Sequence, residues 1–179
     1  MRREWEEERD ALATVRSGTS MQYFPDVDQI GPFGPAFLRL MFASAELERR
    51  VADIQNAVTG DPTFGEKNDW SSIKRPKLLA KLIRKHSKDL KEKPNSRKVS
   101  AQLRRAIAPT DLRNVLAHGH WWKFNPDTQT LTIRRGKHWS GKKRFVRVTL
   151  ARIERAERTL SDVEVELYKL TGHTLRKED

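Results

Sequence analysis

The stretch Asp111-Leu112-Arg113-Asn114-Val115-Leu116-Ala117-His118-Gly119-His120-Trp121-Trp122 marks the point where the chain changes its period. At about 100° per residue, Leu112, Val115 and Leu116 gather on one side of a helix, and that side must face a core. Asn114 and His118 are four apart and share the face roughly opposite. Arg113 lies between the two faces, with a side chain long enough to reach the His118 side. An Arg, an amide and an imidazole are therefore expected to converge on exposed helix surface at a helix end. Gly119 suits the left-handed position that closes helices.

Upstream of this stretch the periodicity is helical. Phe37, Leu40/Met41, Ser44, Leu47, Val51, Ile54 and Val58 recur every three or four residues, which predicts a helix from about Phe33 to Val58, closed by Gly60 and Pro62. Asp61 to Asp69 reads as a polar loop. Ser71 or Ser72 can cap a second helix with Pro76 in its first turn. Leu78, Leu79, Leu82, Ile83 and Leu90 form its apolar side, and Lys74, Lys77, Lys81, Arg84, Lys85 and Lys88 a basic one. Pro94 stops it. A third helical stretch starts near Ser96 with Val99, Leu103, Ala106 and Ile107. Pro109-Thr110 either kinks it or ends it, with Thr110 then capping a new helix from Asp111; the sequence leaves both open.

Downstream the period is two. Leu131 and Ile133 alternate with Thr130, Thr132 and Arg134, and Val146, Val148 and Leu150 alternate with Arg147 and Thr149. This predicts a β-hairpin over about 128–150, with a tip at Arg135 to Lys143. Ile153, Ala156, Leu160, Val163, Leu167 and Leu170 then predict a last helix over about Ala151 to Leu170, ended by Thr171-Gly172. The expected fold is mainly α, a helical bundle with a β-hairpin inserted before its last long helix. Residues 1–32 read as an appendage or linker, 33–172 as the domain and 173–179 as a tail. Trp5 and Tyr23-Phe24 read as docking aromatics.

Of the 179 residues none is Cys, which excludes disulfide frameworks, thiolate metal sites and a cysteine nucleophile. The apolar runs are far too short for a membrane span, and MRREWEEERD lacks the apolar centre of a signal peptide. A cytoplasmic location is the simplest expectation. The formal net charge of +12 is unevenly placed. Between Ser71 and Thr149 there are 22 Lys and Arg against 4 acids, and elsewhere 14 against 20. An excess this concentrated points to a polyanionic partner, with a membrane surface the weaker option. The bland alternative is a solvated basic surface.

Arg113-Asn114-Val115-Leu116-Ala117-His118-Gly119 resembles the R-x4-H motif of HEPN domains, including the polar residue after the Arg and the Ala before the His. The bare R-x4-H is common by chance; the fuller R-N-x-x-A-H-G on a helix, in a helical context, is much more specific. The resemblance spans roughly residues 33–170, and the hairpin after the motif departs from the simplest four-helix form. The resemblance implies a metal-independent endoribonuclease without cofactor. It further implies a homodimer in which two copies of the motif line a composite active site, and often a toxin or phage-defence effector with an antitoxin or defence partner protein. Arg113 would bind the scissile phosphate, His118 would be general base or acid, and Asn114 would orient the imidazole or the phosphate. The ribose 2′-OH would be the nucleophile, so DNA would be inert.

The carboxylates of the basic half, Asp89, Glu92, Asp111 and Asp127, are scattered, which argues against a two-metal nuclease. His118 and His120 stand two apart with no second ligand pair, which argues against zinc. His120 either assists His118 or packs on Trp121. Glu46 either supports the site from the first helix or pairs on the surface with Arg49 or Arg50. Trp121 and Trp122 either stack on bases or anchor the hairpin, with at least one of them core. Lys74, Lys77, Lys81, Arg134, Arg135, Trp139, Lys142, Lys143 and Arg144 are the candidate RNA contacts. A non-catalytic HEPN-like module that binds RNA or nucleotide, and a helical interaction protein that meets an acidic partner, are the competing readings.

Overall fold

A computed structural model describes residues 31–61, 63–64, 73–90, 93–125, 127–135 and 144–171. The expectations for Trp5, Tyr23-Phe24, the Ser71/Ser72 cap, Trp139, Lys142, Lys143, Gly172 and the tail lie outside those residues.

Among the described residues, four helices and three strands follow in the order α1 (Phe33–Thr59), α2 (Pro76–Lys85), α3 (Ser96–His118), β1 (His120–Asn125), β2 (Thr130–Arg135), β3 (Arg144–Thr149) and α4 (Leu150–Thr171). The chain is thus mainly helical, with a small antiparallel sheet between α3 and α4. Helix α1 buries Leu40, Ser44, Leu47, Val51, Ile54 and Val58, the three-four stripe read from the sequence. Gly60 ends it at φ 70°, where its N–H donates to Asn56 O. This is a left-handed position that a side chain would resist. Helix α1 packs mainly on α4, and an ion pair between Arg50 and Glu164 at 2.9 Å ties the two. Helix α3 packs against both α4 and α2.

Helix α3 starts where the Asn95 side chain accepts from the backbone N–H groups of Arg97 and Lys98. It then runs unbroken through Pro109 to His118. Thr110 is buried within it and caps nothing. Apolar packing decides the choice that the sequence left open. Val99, Leu103 and Ala106 before the proline, and Leu112, Val115 and Leu116 after it, are buried in one common core. That burial outweighs the one lost backbone bond.

The expected hairpin is present as β2 and β3, with Leu131 opposite Val148 and Ile133 opposite Val146. It is two strands of three. His120–Asn125 adds β1 on the other side of β2, in the order β1-β2-β3. The register slips between Trp121, opposite Ile133, and Lys123, opposite Thr132. Trp122 is the extra residue of a β-bulge, and this bulge breaks the alternation that would have announced the strand. Trp121 and Phe124 stay on the inner face, packed edge-on against Phe37 and Phe33 of α1 at 5.4 and 5.5 Å.

Gly119 joins α3 to β1 in an extended conformation, φ −85° and ψ 153°, rather than the expected left-handed one. What requires glycine here is space. A Cβ would meet the side chain of Ile133 and the carbonyl of Val115. The Gly119 N–H donates to that same carbonyl at 2.9 Å, and the Trp121 indole N–H donates to Leu116 O at 2.8 Å. Two of the carbonyls that a helix end leaves without internal partners are thereby satisfied.

Candidate functional site

His118 ends α3 with its side chain exposed, and no hydrogen bond or ion pair engages it among the described residues. Asn114, one turn earlier on the same face, is half-buried. Arg113 departs from the expectation of an exposed guanidinium, being buried at 8% exposure. The reason lies across the helix interface. A residue between the core face and the open face of α3 is covered by α1, and a buried guanidinium has to be paired.

Glu48 of α1 supplies a carboxylate, its Oε1 standing 3.5 Å from Arg113 Nη2 and also accepting from Ser44 Oγ at 3.1 Å. Arg113 Nη1 donates to Asn114 Oδ1 at 3.0 Å. A chain of contacts therefore runs from Ser44 and Glu48 through Arg113 to Asn114, the residue that shares a face with His118. Arg113 and His118 are five apart, about 140° around the helix and ~7.5 Å along it, so one protomer directs them to different sides.

Glu48 was not among the residues singled out from the sequence. Its signal was faint but present: a serine in the core stripe of α1 with a carboxylate four residues on. Glu46, the acid that was singled out, pairs instead with Arg49 on the exposed side of α1 at 2.8 Å. Asp111, the obvious neighbour for Arg113, faces outward and pairs with Lys74 at 3.6 Å.

The basic candidates form two groups. Lys77 and Lys81 are exposed on α2. Lys77 and Arg84 face Arg97 and Arg104 of α3 across an open groove that Ser96 and Ser100 also line. Around the sheet, Arg135 is exposed at the end of β2, and the backbone of Arg144 pairs with it. Arg134 is half-buried, with its guanidinium carbon 5.6 Å from the centre of the Trp122 ring. His120 is exposed and also meets Trp122, at 6.0 Å between ring centres, rather than Trp121. The two tryptophans therefore separate: Trp121 anchors the sheet to the helices, and Trp122 turns to the opposite face. Among the described residues no three His, Asp or Glu side chains come together in a way that holds a metal ion. No helix among them is long and apolar enough to cross a membrane.

The arrangement places an exposed helix-end imidazole and a carboxylate-held arginine on different sides of one helix, in a strongly basic, mainly helical scaffold. Compared with known proteins, the chain matches no family model, no curated protein and no solved structure.

Proposed function

We propose that the chain is a metal-independent endoribonuclease of the HEPN type, acting as a homodimer on RNA. The observation that carries this reading is the exposed His118 imidazole on one face with Asn114, whose carboxamide oxygen is bound to the Glu48-held Arg113. The imidazole is open to a substrate, and the groups behind it are fixed before one arrives. Preorganisation of this kind is what electrostatic catalysis needs.

In the proposed reaction a His118 imidazole takes the proton of a ribose 2′-OH, and the 2′-oxygen attacks the adjacent phosphorus. The bond from phosphorus to the 5′-oxygen breaks, and the His118 of the second subunit protonates the departing oxygen. The products are a 2′,3′-cyclic phosphate and a 5′-OH end. Arg113 and Asn114 position the imidazole and the phosphate. Leu38 and Phe42, exposed on the half of α1 that packs beside Trp121, offer apolar surface for a second copy.

The test is incubation of the purified chain with an RNA and its all-deoxy equivalent in EDTA, beside His118→Ala and Arg113→Lys. Cleavage of the RNA alone is expected, with cyclic phosphate ends, falling about 10²–10⁴-fold in His118→Ala. Equal cleavage by His118→Ala, or cleavage of the deoxy strand, overturns the proposal.

A second reading is favoured by the burial and neutralisation of Arg113, which suit a structural guanidinium. On that reading the chain is a non-catalytic module that binds RNA or nucleotide. Binding without cleavage in the same experiment selects it.

A further inference from the structure

The outer face of the sheet carries a row that the helical site does not use. In register across the three strands stand His120 of β1, Arg134 of β2 and Phe145 of β3. The bulge brings Trp122 onto this row. Its ring lies 6.3 Å from that of Phe145 at an interplanar angle of 65°, and 6.0 Å from that of His120. The Arg134 guanidinium sits over it. Phe145 is 49% exposed, a large ring that the fold itself does not bury.

The chemistry of this face is one-sided. None of the strands HWWKFN, TLTIRR and RFVRVT contains a carboxylate, while Lys123, Arg134 and Arg147, which share this face by register, are cationic. Aromatic planes among cations, with no acid, complement a ligand that is flat and anionic at once. Unpaired nucleotides are such a ligand: their bases stack on rings and their phosphates meet Arg and Lys. A duplex hides its bases within its own stack and offers only its backbone and groove edges. The row is also adjacent to the candidate site. One residue, Gly119, separates His118 from His120, and Gly119 is packed against β2 at Ile133.

We propose that Trp122, Phe145 and His120, with Arg134 between them, form a stacking platform for single-stranded RNA, holding unpaired bases next to the His118 imidazole. This names the substrate class of the site described above and in that respect rests on the endoribonuclease reading. The outer row fixes the bases by stacking, without reading their hydrogen-bonding edges, so sequence preference is weak.

The experiment measures binding of the full chain by fluorescence anisotropy at low salt. The probes are a labelled single-stranded oligonucleotide with 2′-O-methyl sugars, its deoxy equivalent, an abasic strand of the same charge and a duplex. The first two should bind alike, because stacking is indifferent to the 2′ position and neither can be cleaved. The abasic strand and the duplex should bind more weakly. Trp122→Ala should lose about 5- to 150-fold in affinity for the single strands, the range that removal of one stacking side chain produces. Phe145→Ala, at a half-exposed position, should lose less while keeping the wild-type melting temperature, and it decides the matter if Trp122→Ala fails to fold.

If the wild type binds the single strands through these rings and cleaves no RNA, the nuclease reading fails while the platform stands. If the wild type cleaves RNA but both aromatic variants bind normally, the platform fails while the nuclease reading stands. Equal affinity for the abasic strand or the duplex also overturns the platform. So does binding to none of the four probes, in which case the rings belong to a protein contact.

Discussion

Removing Glu48 tests the least anticipated feature of the site. Its carboxylate stands 3.5 Å from the Arg113 guanidinium, with side-chain exposures of 15% and 10%. At that separation and an effective dielectric of about 20, the gross attraction is ~5 kcal/mol. Desolvation of both ions offsets much of this, but truncating one partner leaves the other charged, buried and short of its counter-ion, which typically costs ~3–5 kcal/mol. Residual access of water and the bond to Asn114 place Glu48→Ala at the lower end, about 3 kcal/mol. For a chain of this length that is a fall of roughly 6–12 °C in melting temperature. Glu48→Gln preserves the volume and an acceptor for Ser44, so its loss should be smaller.

The decisive assay is a double-mutant cycle in urea, combining Glu48→Ala with Arg113→Met. Removing both charges should cost clearly less than the sum of the single losses, with a coupling of about 2 kcal/mol. Single losses that add to within about 0.5 kcal/mol would show that the pair is not coupled, and the account of why Arg113 is buried would be wrong.

Gly119→Ala should destabilise by about 1–3 kcal/mol, because the methyl has to displace both the Ile133 side chain and the end of α3; a urea midpoint matching the wild type would contradict this. Trp121→Phe keeps the ring on Phe37 but leaves Leu116 O without its indole donor, so a loss of about 1–2 kcal/mol is expected by thermal unfolding, with the fold intact. Arg97→Ala, in the groove between α2 and α3, should weaken RNA binding evenly across sequences and lower the slope of log affinity against log salt by about one, if that groove carries a phosphate. An unchanged slope would remove the groove from the path of the strand.

Helices α1 and α4 were legible because each shows one face to the core, and the three-four stripe survives in the sequence as Leu47, Val51, Ile54 and Leu160, Val163, Leu167. Strands β2 and β3 were legible by alternation. Strand β1 was not, since the bulge leaves Trp122 and Lys123 in succession on the outer face and so breaks the period of two. Pro109 left two local solutions of similar standing, and only the packing of α3 on both sides of it selects one. The Arg113–Glu48 pair joins residues 65 positions apart on different helices. Spacing along one helix could place Asn114 with His118, but it carries no information on which side chain of α1 lies opposite.

The single residue between His118 and His120 has a length that the rest of the molecule depends on. Lengthening or shortening this joint by one would move β1 half a pleat along β2 and exchange its faces. Trp122 would then be driven towards Phe37, and Trp121 would be pulled off the Leu116 carbonyl into water. The joint thus sets the phase between the end of α3 and the sheet, and it holds the imidazole and the outer aromatic row at one fixed offset.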